Sequence, residues 1–153
     1  MLSVELVGVD GPLDEVRALF QEYWESFGFT PCFQGFGEEL AGLPGKYAAP
    51  GGGLLLARLE EEPAGCVAFR RVDAVRCEAK RLYVRPEFRG RGIASHLLDR
   101  LVAEARSVGY RQILGDTLPV MDAAVRLYER YGFRQATERM PAADGTIYLE
   151  YPL

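Results

Sequence analysis

Apolar positions along this chain follow two periods. Helical spacing appears at Leu13, Val16, Phe20, Tyr23, Trp24 and Phe27, between the turn Asp10-Gly11-Pro12 and Gly28. It returns at Ile93, Ala94, Leu97, Leu98, Leu101, Val102 and Ala105, ahead of Gly109. A third stripe, Met121, Ala124, Val125, Tyr128 and Tyr131, predicts a helix that starts at Leu118-Pro119 and is capped by Gly132. A shorter helix is expected at 38–43. Strand patterns occupy 4–9, 54–59, 65–72, 77–84, 110–117, 133–137 and 146–151. The short link at Asp73-Ala74 predicts a hairpin between the third and fourth of these. Residues 60–63 read as a charged turn, and 44–53 and 140–145 as loops rich in Gly or Pro. Two helices, an antiparallel meander, then alternating strand and helix make one α/β domain of mixed α+β type, 1–153. About seven strands and about four helices are expected.

One junction departs from ordinary turn chemistry. A strand ending at Leu82-Tyr83-Val84 runs through Arg85-Pro86-Glu87-Phe88 into Arg89-Gly90-Arg91-Gly92-Ile93-Ala94-Ser95, which opens the long central helix. Backbone amides at a helix start lack partners and sit at the positive end of the macrodipole. Gly90 and Gly92 carry no side chain to keep a ligand away, and Arg89 and Arg91 add charge. The stretch is therefore a seat for a phosphate or pyrophosphate. It is not a P-loop, because no Lys-Ser or Lys-Thr follows. Nor is it a dinucleotide fingerprint, because Ser95 stands where a third Gly or Ala belongs.

Composition narrows the field. The net charge of -4 argues against general nucleic-acid binding, and no apolar run is long enough for a membrane span. No secretion signal is apparent at Met1-Leu2-Ser3-Val4-Glu5. Three cysteines, Cys32, Cys66 and Cys77, without metal spacing suggest a reduced, cytoplasmic protein without a metal. Charge is unevenly spread. Residues 70–91 hold eight basic and three acidic residues, whereas residues 1–62 hold three basic and eleven acidic. One patch suits an anionic cofactor, and the other a cationic partner.

The hexamer Arg89-Gly90-Arg91-Gly92-Ile93-Ala94 fits Arg/Gln-x-x-Gly-x-Gly/Ala at every position, and Ala124-Val125-Arg126-Leu127-Tyr128-Glu129-Arg130-Tyr131-Gly132-Phe133 fits Ala-x-x-Leu-Tyr-x-x-x-Gly-Phe. In this order and at this distance they resemble the acetyl-CoA segments of the GNAT N-acetyltransferase superfamily. The resemblance covers Cys77 to Phe133. It departs at Met121, where many members carry Asn. It implies a GNAT-like fold whose central strands run parallel and splay apart. It also implies acetyl-CoA as cosubstrate, held by the loop amides and by backbone groups near Leu82, Tyr83 and Val84. The acceptor is then a primary amine of a small molecule or peptide, cationic if the acidic first third faces it.

Acetyl transfer needs a donor facing the developing oxyanion, a base for the acceptor and an acid for the leaving thiolate. Tyr128 matches the family's tyrosine in the acid position. Glu78 is the candidate base. Period two places Glu78, Lys80, Leu82 and Val84 on one strand face, although Lys80 could equally be its ion-pair partner. Phe33, Gln34 and Lys80 are candidate acceptor contacts. His96 lies off its helix stripe and reads as a surface residue, and Cys32 as a buried small one. A non-catalytic acyl-CoA sensor and a basic-patch RNA binder are the alternatives. Oligomeric state is open, a homodimer included.

Overall fold

In a computed structural model, which describes residues 1–29, 35–117, 121–135 and 147–153, the period-two runs form β1 (Leu2–Val7), β2 (Gly53–Leu59), β3 (Glu62–Arg71), β4 (Arg76–Val84), β5 (Gln112–Thr117), β6 (Arg134–Gln135) and β7 (Ile147–Pro152). The helical stripes form α1 (Leu13–Ser26), α2 (Phe36–Ala41), α3 (Ile93–Val108) and α4 (Asp122–Tyr131). The strands join in the order β1-β2-β3-β4-β5-β7-β6. Among these pairings only β4 with β5 is parallel. The expected mixed α+β class and parallel central pair are both present.

Each face of the sheet is covered. On one side α3 and α4 bury Leu97, Leu98, Leu101 and Tyr128 against Leu55, Val67 and Ile113. On the other, α1 and α2 bury Phe20, Trp24 and Phe36 against Leu54, Leu56 and Ala68. Trp24 stacks on Phe36 with centroids 4.9 Å apart. The aromatic stripe of α1 is thus chiefly core.

The β2–β3 turn is tighter than its sequence implies. Glu60 and Glu61 alone take positive φ, +50° and +70°, so β3 already begins at Glu62. Paired positive φ values twist the backbone in the sense that two-residue hairpins require. The β3–β4 hairpin forms as expected. Asp73 closes it by accepting from the amides of Val75 (3.0 Å) and Arg76 (2.9 Å).

Two irregularities around β4 shape the molecule's main cleft. First, β4 and β5 pair only from Arg76↔Gln112 to Ala79↔Gly115, so β4 has no strand partner on the β5 side over its last five residues. Second, the β3–β4 register steps from Cys66↔Tyr83 to Ala68↔Lys80, leaving one extra residue on β4. Arg81 absorbs the bulge at φ +62°. The bulge corrects the expected strand face. Lys80 and Arg81 both turn toward α1 and α2, and beyond them the alternation is inverted. Leu82 and Val84 pack with the α3 side, Tyr83 with the α1 side. Glu78 therefore does not share a face with Leu82 and Val84.

Candidate active site

The opening between the diverging ends of β4 and β5 has two chambers with common walls at Tyr23, Leu82 and Ala124. The outer chamber encloses about 570 Å³, within the range of small-molecule sites. Leu82, Tyr83 and Val84 form one wall, and Arg89, Gly90, Gly92, Ile93, Ala94 and Ser95 form its mouth. Nine of the ten residues expected to hold the cofactor thus converge. The tenth, Arg91, is exposed and lies outside the chamber walls.

The mouth is built as an anion seat. Gly90 and Gly92 take φ of +80° and +75°, and a Cβ on either would meet nothing within 4 Å. Glycine is required there by conformation, not by crowding. No side chain caps α3, so the amides of its first turn stay available. Arg89 Nε donates to the Val84 carbonyl at 3.0 Å, which ties the loop back to the strand. Arg85 is differently employed. Its guanidinium grips Glu22 of α1, with contacts down to 2.7 Å, and so joins α1 to the end of β4.

The inner chamber lies deeper, between Lys80, Arg81, Asp116, Thr117 and Tyr128. Tyr128 is buried, and burial pushes its phenol well above the ordinary tyrosine range. It therefore stays protonated. Met121 precedes α4 and helps wall this chamber, where it receives the Tyr23 hydroxyl at 3.8 Å. A thioether has replaced the amide that the resemblance anticipates at this slot.

Arg81, unmarked in the sequence, is the most constrained residue here. It is 4% exposed, and Nε and Nη2 donate to Glu39 Oε2 and Oε1 at 2.9 and 3.0 Å. Its guanidinium lies over the Phe36 ring at 4.3 Å. Tyr47 and Lys46 also reach Glu39, at 2.9 and 3.3 Å. Burial pushes the Glu39 carboxyl up. The Arg81 hydrogen bonds and charge, helped by Tyr47 and Lys46, outweigh this and hold it below the ordinary glutamate range.

Glu78 has the ion pairs that its neighbour Lys80 made possible. It accepts from Arg70 Nε at 3.1 Å and lies 3.4 Å from Lys80 Nζ. Neither chamber has it on its walls. Glu78→Gln should therefore lower stability by about 1–3 kcal/mol, the usual cost of spoiling a buried charged pairing. The pH profile of kcat/KM should keep its form. Urea unfolding beside a pH series checks both, and loss of an ionisation from the profile would restore Glu78 as the base.

The acidic first third does not face the cleft either. Glu5 and Glu15 hold Arg58, Asp14 holds Arg17, Glu22 holds Arg85, Glu39 holds Arg81, and Glu60 holds the N-terminal ammonium. None of the eleven acids of residues 1–62 lines a chamber. The charge argument for a cationic acceptor thus loses its local basis. Asp116, absent from the expected set, is the only carboxylate on the walls among the described residues. Its signal in the sequence is slight: an acid at the end of a parallel strand, where splayed sheets open their crevices. Phe33, Gln34 and Cys32 lie outside the described residues. His96 is exposed, and Cys66 and Cys77 are buried free thiols. Among the described residues no helix is long and apolar enough to cross a membrane.

Comparison with known proteins agrees with this geometry. The acetyltransferase (GNAT) family profile matches residues 13–133. An uncharacterized N-acetyltransferase of Schizosaccharomyces pombe is 39% identical over 87% of this chain and 83% of its own length. The PaiA N-acetyltransferase of Thermoplasma acidophilum, solved with coenzyme A, superposes with a TM-score of 0.80 at 14% identity, covering 100% of this chain and 99% of that one. A GNAT acetyltransferase of Elizabethkingia anophelis, solved with acetyl-CoA bound, gives 0.70 at 20% identity over 99% and 98%. With its two motifs, its splayed parallel strands and a family match over most of its length, the chain belongs to the GNAT acetyltransferase family.

Proposed function

We propose that this protein transfers an acetyl group from acetyl-CoA to a primary amine of a small molecule or peptide by direct attack. One observation carries the reading. The unpaired edge of β4 runs from the outer chamber, at the uncapped start of α3, to the inner chamber that Tyr128 helps wall. A pantetheine arm can add to that edge as an extended peptide adds to a sheet. Its pyrophosphate then meets the amides of Gly92 to Ser95, and its thioester lies toward the inner chamber. The acetyl-CoA-bound neighbour from Elizabethkingia anophelis supports this choice of cosubstrate, and the N-acetyltransferase relatives support an amine acceptor.

The bond changes are simple. The neutral amine nitrogen attacks the carbonyl carbon, a C–N bond forms, and the C–S bond breaks. A backbone N–H near the Arg81 bulge is the candidate donor to the oxyanion. Tyr128 gives its proton to the departing sulfur and regains one from the acylated amine. Burial keeps the phenol protonated, so the proton is in place when charge develops on sulfur.

Tyr128→Phe should bind CoA as the parent does and turn over roughly a hundred- to ten-thousandfold more slowly, the usual range of proton-transfer catalysis. Single-turnover kinetics with calorimetric CoA binding decides this. Unchanged chemistry removes Tyr128 from the mechanism. The reaction itself is tested by an acetyl-CoA thiol-release screen over an amine panel. Binding of CoA with no acetylated product from any amine would favour the sensor reading.

A further inference from the structure

Building on the transferase reading, we propose that Asp116 seats the acceptor's amino group and that Lys80 and Arg81 beside it restrict acceptors to amines whose far end is neutral or anionic. A positively charged tail is excluded. The inference comes from the inner chamber's walls. Asp116 is their only carboxylate among the described residues, whereas two cations, Lys80 and Arg81, share them. Asp116 Oδ1 lies 3.6 Å from Lys80 Nζ, too long for a firm hydrogen bond. Its oxygens are thus weakly engaged, although the carboxylate stands in a partly enclosed place.

The neighbouring wall residue is also polar and unsatisfied. Thr117, next in the chain and 4% exposed, lines the same chamber, and its Oγ1 has no hydrogen-bond partner among the described residues. A buried hydroxyl without a partner is costly, and such groups mark places that something polar completes. An amino group has N–H donors for the Asp116 carboxylate, whereas Thr117, the next residue of β5, turns its side chain to the opposite strand face. The amino group would also lie near Tyr128, the acid proposed for the leaving sulfur.

The neighbours set the selectivity. Arg81 is held by Glu39, and Lys80 lies between Glu78 and Asp116. Beyond them stand Lys46 and Arg70. This group of four cations and three carboxylates (Glu39, Glu78, Asp116) keeps a positive excess. Once Asp116 has taken the reacting amine, a second ammonium would meet this residual positive charge.

Three acceptors of matched length test this: n-pentylamine, cadaverine and δ-aminovalerate. They are assayed by thiol release, and by saturation-transfer NMR on the CoA-loaded protein. Cadaverine should have a kcat/KM at least about tenfold below the other two, as a like charge at these distances requires. Asp116→Asn should lower kcat/KM roughly ten- to a hundredfold for all accepted amines, mainly through KM, with CoA affinity intact. Lys80→Met should narrow the gap between cadaverine and n-pentylamine. Preference for cadaverine, or turnover by Asp116→Asn within twofold of the parent, overturns the proposal. NMR binding that keeps the ranking without acetylation would instead overturn the transferase reading and leave the seat standing.

Discussion

Gly92→Asp should abolish measurable CoA binding while the protein stays folded. Gly92 precedes the first residue of α3 at φ +75°, and a Cβ there meets no atom within 4 Å. The backbone strain of an aspartate in this region is modest, about 1–2 kcal/mol. The electrostatic effect is larger. A carboxylate about 5 Å from a pyrophosphate costs roughly 3 kcal/mol per unit of opposing charge at an effective dielectric of about 20. That is more than a hundredfold in affinity. Gly92→Ala isolates the strain and should retain most binding. Thermal denaturation with CoA reads both, because a ligand that binds only the native state raises the melting temperature. If the parent shows no shift at millimolar CoA, the transferase and sensor readings both fail. If Gly92→Asp shifts as the parent does, the pyrophosphate lies elsewhere.

The second large effect belongs to Glu39→Ala, which should destabilise the fold by about 3–5 kcal/mol. Removing one partner of a buried ion pair strands the other charge. Here the stranded group is Arg81, buried on the Phe36 ring at the bulge of β4. Replacing both partners, as in Glu39→Leu with Arg81→Met, should recover much of the stability. It should not recover turnover, because the Glu39–Arg81 pair ties α2 to the bulge that the proposed mechanism sets against the thioester. Urea unfolding beside kcat measurements separates the two effects. The pH dependence has a definite sign. Glu39 is held below the ordinary glutamate range, so its pairing stabilises the fold fully above that range, about 4.3. The contribution falls away as pH drops through that value and below it. Glu39→Ala should therefore have a shallower acid limb than the parent. An equally steep limb would assign acid sensitivity to other carboxylates, such as Glu15, whose carboxyl Arg58 also holds low.

Local patterns in the chain were enough to place the elements and to single out the loop proposed as the cofactor seat. Helical stripes and alternating strands are local patterns of burial, so α1, α3 and the β2–β4 meander lie within a few residues of where periodicity puts them. The pyrophosphate loop is local too. Strand, glycines and helix start are contiguous, and backbone amides at a helix N-terminus need no distant partner to be oriented. Tyr128 was named through the resemblance of its segment to the family motif, while the helical period placed it only on the apolar stripe of α4.

Tertiary structure alone decided what the inner chamber contains. Period two assigns Glu78, Lys80, Leu82 and Val84 to one face, but the bulge at Arg81 inverts the alternation. That bulge depends on the register against Cys66 and Ala68 and on the grip of Glu39, 42 residues away in the chain. The fate of charges is equally non-local. Five of the eleven acids in the first sixty-two residues are spent on partners fixed only by folding, and Asp116 comes beside Lys80 only because β4 and β5 lie parallel and then part. Composition counts charges, but a carboxylate acts through what lies within a few ångströms of it, and that is set by strand register and splay.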